Sequence, residues 1–202
     1  MSNGPVGEQD ASGGIDERIV GRRLIHKGKK FSFEMLTIRP GSSTKTYDRE
    51  IVRHPGAVVI VPVLAPDELV MIRNRRVAVG EELWEFPAGT LEAGEAPETC
   101  APRELIEETG YRAGETKPLG WFYTTPGMTD ERMHAFLATD LNHVGQALEE
   151  DESIRVEVVQ LSDAMAMLAD GRLRDGKSML ALLLALRHAD SGLGSEWGGE
   201  GA

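Results

Sequence analysis

Between Gly89 and Tyr111 the chain reads GTLEAGEAPETCAPRELIEETGY, a segment with six glutamates, one arginine and two prolines. Its centre is Arg103-Glu104-Leu105-Ile106-Glu107-Glu108. Residues three and four apart share a helix face, so a helix here projects Glu104, Glu107 and Glu108 to one side and leaves Leu105 and Ile106 for a core. Like charges so placed destabilise a helix by about 0.2–0.5 kcal/mol per pair. A hard divalent cation, which takes oxygen ligands, offsets that repulsion. An acidic helix face is also what ordinary solvated surface presents, so the wider spacing has to separate the two readings.

The length of 202 residues and a hydrophobic fraction of 41% suit one domain with a modest extension and a real core. A formal net charge of -11 argues against non-specific binding to nucleic acid or anionic membranes, which need a basic surface. It leaves anionic small molecules open, because a local arginine or a metal ion can invert the field at a site. The single cysteine, Cys100, excludes an intrachain disulfide and suits a reducing, cytoplasmic setting. No apolar run is long enough to span a bilayer. The first residues lack the basic and apolar regions of a signal peptide.

Residues 1–15 and 191–202 are Gly-, Ser- and acid-rich and read as disordered tails, with Trp197 the one residue suited to docking. Strand patterns follow over 17–39, where Phe31, Phe33 and Met35 alternate with polar neighbours, and over 44–54. The run AVVIVPVL from Ala57 to Leu64 reads as a central strand, although Pro62 suggests an edge or a bulge. Further strands are expected at 69–72, 119–124, 133–139 and 154–161, with 83–88 leading into the acidic segment, and helices at 98–109, 163–169 and 177–188. This order predicts an α+β sandwich in which helices cover a mixed sheet. Pro102 costs about 3 kcal/mol in a helix interior. A helix starting at Thr99 as N-cap would place it harmlessly in the first turn, and Gly110 is expected to cap the other end.

Gly89, five residues, Glu95, seven residues, Arg103-Glu104-Leu105, one residue, Glu107-Glu108, one residue, Gly110 and hydrophobic Tyr111 agree with the Nudix box at every fixed position. On these residues the chain resembles the Nudix hydrolase family. The resemblance implies an α/β/α sandwich over 55–190, preceded by an antiparallel β extension over 16–54 that pairs across a homodimer. It implies Mg2+, or Mn2+, held by Glu104, Glu107, Glu108 and the carbonyl of Ala88, with hydrolysis of a pyrophosphate bond. Arg103, beside these carboxylates, is expected to pair with Glu95 and fix its rotamer.

Three further stretches resemble the ADP-ribose pyrophosphatase subgroup. Pro126 lies sixteen residues beyond Gly110 in the loop Thr124-Thr125-Pro126-Gly127-Met128-Thr129-Asp130-Glu131-Arg132. The resemblance implies a catalytic role for Glu131, with Asp130 its rival, alongside Glu107 and Arg103 as catalytic residues. Leu83-Trp84-Glu85-Phe86-Pro87-Ala88-Gly89 resembles the subgroup's strand entry, and the stretch from Gly171 to Ser178 its C-terminus. Substrate contacts are expected from Arg73, Arg75, Glu85, Gly89 and Met128, guanidinium being suited to phosphate. The expected reaction converts ADP-ribose to AMP and ribose 5-phosphate. The alternatives are another sugar nucleotide such as GDP-mannose, or a nucleotide-sensing module without turnover. Neither nucleic acid nor membrane is an expected partner. The five histidines, His54 among them, show no metal-ligand spacing and read as structural or exposed, and Cys100 has no catalytic role.

Overall fold

The computed structural model describes residues 16–148 and 153–189, so the expectations for the two tails and for Trp197 lie outside the described residues. The chain divides between Arg53 and His54 into two compact units.

In the first unit, strands β1 (Ile19–Lys27), β2 (Ser32–Ile38) and β3 (Tyr47–Arg53) form an antiparallel sheet in chain order. The first turn closes by a 2.8 Å hydrogen bond from the Gly28 N–H to the Phe31 carbonyl. The second contains Pro40-Gly41, with Gly41 at a φ of 49°. Arg53 reaches across to Glu34 at 2.9 Å. The expected half-buried face of Phe31, Phe33 and Met35 needs correction. Leu36 is the buried residue, while Phe31 and Phe33 are 40% and 48% exposed. A three-stranded sheet has no second layer of its own to cover one face completely.

The second unit begins with β4 (Ala57–Ala65) and β5 (Glu68–Arg76), then β6 (Glu81–Glu85) and β7 (Ala88–Thr90). Helix α1 (Pro97–Thr109) follows, then β8 (Tyr111–Arg112), β9 (Glu115–Tyr123), β10 (Arg132–Thr139), β11 (Asn142–His143) and β12 (Ile154–Gln160). Helices α2 (Leu161–Asp170) and α3 (Gly176–His188) close the described chain. The main sheet runs β12-β5-β4-β10-β9, with β6 on β5 and β7 on β4. β4 and β10 are parallel, Ala57 opposite Met133, and the β10–β9 ladder is antiparallel. The two-residue period of β4 divides the core. Val59, Val61 and Val63 pack with Met167, Ala181, Leu182 and Ala185 of α2 and α3, while Val58 and Ile60 pack with Cys100, Ala101 and Leu105 of α1. One helix therefore covers one face of a mixed sheet and two cover the other.

One local expectation is overturned, and of the edge or bulge expected at Pro62 the structure shows the irregularity. Helix α1 starts at Pro97, with Ala96 as N-cap, so Thr99 is already helical and Pro102 sits inside the helix. Pro97 is pre-set for a first helical position, and Pro102 removes only the N–H aimed at the carbonyl four residues back. Leu105, Ala101 and Cys100, all fully buried, hold the helix on the sheet across that gap. Pro62 marks no edge, since β4 has neighbours on both sides. It falls after the β7 ladder, which ends at Val59, and before the β5 ladder, which starts at Val63 and is irregular there. Gly110 does cap α1, with φ 73° and its N–H on the Ile106 carbonyl at 2.8 Å.

Candidate active site

Helix α1 turns its acidic face toward the strand that precedes it. The Ala88 N–H donates to Glu108 Oε2 at 2.8 Å, and this carboxylate is buried. Glu104 lies against Gly89 so closely that a Cβ there would fall 1.8–2.2 Å from its carboxylate atoms. Glycine is required at this position by close approach rather than by backbone conformation. Arg103 organises the remaining acids. Its Nε and Nη2 donate to the two oxygens of Glu95, each at 2.9 Å, and its Nη1 to Glu104 Oε1 and Glu107 Oε2, also at 2.9 Å. The fork holds the Glu95 carboxyl well below the usual range, at about 2, and raises the affinity of Arg103 for its proton. Burial, reinforced by Glu104, pushes the Cys100 thiol up to about 12, so it is no nucleophile at neutral pH.

A second ion network lies under the entry to this segment. Glu85 is fully buried, and Arg76 grips it twice, at 2.8 and 2.6 Å. Lys177 of α3 donates to Glu85 at 2.6 Å and pairs with Asp175 at 2.9 Å. Asp175 caps α3 through the Ser178 N–H, and Ser178 Oγ accepts the Phe86 N–H at 2.8 Å. Glu85, Glu108 and Asp175 all act to raise the Arg76 pKa, the hydrogen bonds from Glu85 being the largest cause. Arg73 and Arg75 alternate with Arg76 along β5 and are not drawn into this network. The Arg73 guanidinium lies 4.6 Å over the Trp84 ring and pairs with Glu82 at 2.5 Å, and Arg75 is exposed.

The loop between β9 and β10 is closed by the Thr124 N–H on the Glu131 carbonyl and by a turn from Thr125 to Thr129. Glu131 Oε2 accepts the Thr124 hydroxyl, and Oε1 lies 3.4 Å from His54 Nε2. Its side chain, 22% exposed, lines a cavity of about 390 Å3 together with Tyr123, Met133, Asp175 and Lys177. Asp130 points elsewhere: its Oδ1 accepts the His54 backbone N–H at 2.9 Å. Met128 stands exposed on the loop, 54% accessible.

Residues 53–182 match the NUDIX domain. The chain belongs to the Nudix family. Over 172 residues it is 37% identical to the ADP-ribose pyrophosphatase of Bacillus subtilis (strain 168), covering 83% of this chain and 91% of that one. It is also 37% identical over 153 residues to the GDP-mannose pyrophosphatase of Escherichia coli O1:K1 / APEC, covering 67% and 79%. Among solved structures, the "Crystal structure of ADP compounds hydrolase" superposes with a TM-score of 0.74 at 25% identity, covering 87% of this chain and 95% of that one. The mixed sheet between helices is thus the Nudix fold, of the α+β class.

Nudix hydrolases use divalent metal ions, and the box acids suit one. Glu104, Glu107 and Glu108 offer hard oxygen donors from one helix face, two of them buried, and Gly89 leaves room for the Glu104 carboxylate. Among the described residues no three His, Cys, Asp or Glu side chains stand close enough to cage an ion by themselves. A cation that is shared between one or two carboxylates and substrate phosphates needs no such cage. Of the residues singled out from sequence, the Nudix box acids, Arg103, Ala88 and Gly89 come together. Glu85 supports the site from the core, with no surface open to a ligand. Arg76, Lys177, Asp175, Thr124 and His54 escaped sequence reading. Of these, Asp175 carries a signal that could have found it, an N-cap residue just ahead of the helix. No helix among the described residues is long and apolar enough to cross a membrane.

Proposed function

We propose that this Nudix chain hydrolyses the pyrophosphate bond of a nucleoside diphosphate sugar, with Mg2+ as its metal and ADP-ribose, cleaved to AMP and ribose 5-phosphate, as preferred substrate. The observation that carries this reading is the acidic face of α1, where Arg103 holds Glu104 and Glu107 and the Ala88 N–H holds Glu108; a further carboxylate, Glu131, lines a cavity that also presents Lys177. Glu104, Glu107, Glu108 and the Ala88 carbonyl would hold the metal, which when bound polarises the phosphoryl oxygens and acidifies water. Glu131 takes the proton of the attacking water at a carboxylate oxygen as that water's oxygen bonds to one phosphorus and the bridging oxygen leaves with its electron pair. Each carboxylate oxygen has a second lone pair beyond the one it gives Thr124 or His54. Arg103 sets the rotamers of Glu104 and Glu107. Arg76, whose field includes Glu108 and Asp175, supplies positive charge for the diphosphate. Arg73 and Arg75, at alternate positions of β5, and Met128 at the loop are assigned to the nucleoside and sugar ends. Glu85 acts through Arg76.

The Nudix box recognises metal and diphosphate, which leaves base and sugar to be decided elsewhere. The GDP-mannose pyrophosphatase relative keeps that substrate as the competing reading. A panel of ADP-ribose, GDP-mannose and other sugar nucleotides, assayed with Mg2+ and with Mn2+, separates the two. Turnover of GDP-mannose at a kcat/KM equal to that of ADP-ribose would overturn the preferred substrate while leaving the reaction intact. Glu108→Gln should abolish turnover, and retained hydrolysis would contradict its ligand role. We assign β1–β3 to a homodimer contact, testable by light scattering, and the enzyme to the cytoplasm.

A further inference from the structure

His54 has no part in the reaction as proposed, yet it is fixed from two sides and aimed at the residue that matters most. Its side chain is only 9% exposed. The Gly56 N–H donates to its Nδ1 at 3.0 Å, which places the ring proton of the neutral imidazole on Nε2, and Nε2 faces Glu131 Oε1 at 3.4 Å. Burial lowers the His54 pKa against the opposing pull of Glu131 and Asp130. The ring is also tied to the acidic segment. Gly56 has a φ of 104°, a conformation that favours glycine, and its carbonyl accepts the Leu91 N–H at 3.0 Å. A continuous path therefore runs from the Glu131 carboxylate through the His54 ring and Gly56 to Leu91, two residues past Gly89. Asp130 clamps the backbone of the same histidine.

We infer that His54 is a positioning residue for Glu131: its Nε2–H holds the carboxylate at a fixed place relative to the strand that carries Ala88 and Gly89. Thr124 holds the second oxygen, so the carboxylate is oriented by one donor from its own hairpin and one from the segment just before β4. The inference rests on the base role proposed for Glu131. A general base needs placement to a few tenths of an ångström, and loss of a supporting hydrogen bond of this kind costs roughly 10–100-fold in rate.

Two substitutions separate holding the turn from holding the base. His54→Asn keeps an acceptor for the Gly56 N–H but cannot reach Glu131. His54→Gln keeps a donor of similar reach. With ADP-ribose and saturating Mg2+, His54→Asn should lower kcat by roughly 10–100-fold with KM within about threefold, and His54→Gln should restore most of the loss. In a Glu131→Gln background His54→Asn should lower kcat by less than about twofold further, because the group it positions is gone. Wild-type kcat in His54→Asn, or an undiminished loss in the double variant, overturns the inference. An unimpaired Glu131→Gln single variant would instead remove the base role on which it stands. Nitrogen NMR of the wild-type imidazole gives an arm that does not depend on a histidine variant folding. The Nε2–H tautomer is expected, with a resonance that shifts in Glu131→Gln, and an Nδ1–H tautomer or an unmoved resonance refutes the contact.

Discussion

Gly89→Ala offers a clean separation of fold from function. The added methyl would lie 1.8 Å from the Glu104 carboxylate carbon and 2.0 and 2.2 Å from its oxygens. These are overlaps that one partner must relieve. Gly89 is fixed by its ladder partner Val58, which is fully buried, so the backbone is the stiffer side. Glu104 ends in a flexible chain and gives way, losing its 2.9 Å bond to Arg103. Overpacking of this kind costs about 1–3 kcal/mol. For a domain of this size each kcal/mol lowers Tm by about 2–4 °C. The folded protein therefore survives at 25 °C, but with a displaced Glu104. If that carboxylate is a metal ligand, kcat should fall roughly 10–100-fold, about 1.4–2.7 kcal/mol of barrier, and half-saturation should require more Mg2+. The assay is a Mg2+ titration of ADP-ribose hydrolysis, alone and combined with Glu104→Gln, in which the two losses should not multiply. Wild-type kcat at wild-type Mg2+ dependence in Gly89→Ala would refute the proposed importance of the Glu104 position.

Other expectations follow from the ion networks. Lys177→Met leaves buried Glu85 with Arg76 alone, and breaking such a buried pair costs about 3–5 kcal/mol. Urea unfolding should show a loss near the lower end, and one under about 1 kcal/mol would mean that Arg76 suffices. Arg103 depresses the Glu95 carboxyl from 4.5 to about 2, so their pairing stabilises the fold above the unfolded value and is lost as pH falls toward the folded one. The Tm difference between wild type and Glu95→Gln should therefore be constant near neutrality and shrink between about pH 4.5 and 2, and a difference that grows on acidification contradicts the pairing. Cys100, with its thiol pushed up to about 12, should resist aromatic disulfide reagents until the protein unfolds, and fast labelling of the native enzyme would place it at the surface.

The legible part of this protein is the part with local physics. Helical spacing put Glu104, Glu107 and Glu108 on one face, the glycine after Thr109 stopped that helix, and the nearly continuous β-branched run of Ala57–Leu64 marked the sheet's centre. Arg103 and Glu95 are eight residues apart yet meet through the helix that spacing implies. Local signals failed where packing overrode them. Pro102 entered a helix interior because Leu105 and its neighbours are buried strongly enough to tolerate one missing bond, and Phe31 and Phe33 lie exposed where the expected stretch 17–39 divides into β1 and β2 around a turn.

By itself, then, the sequence determined the family, the acidic helix and the glycine that caps its C-terminus, because each depends on residues within a few helical turns. Which arginine of β5 joins the buried glutamate, and which loop acid faces the cavity rather than clamping backbone, only the tertiary structure decided. Arg73, Arg75 and Arg76 look equivalent along the chain, but Arg73 packs on Trp84, Arg75 is exposed and Arg76 alone reaches buried Glu85. His54 and Glu131 are brought together because β4 and β10 lie parallel with Ala57 opposite Met133, and strand order of that kind leaves no periodic mark along the chain.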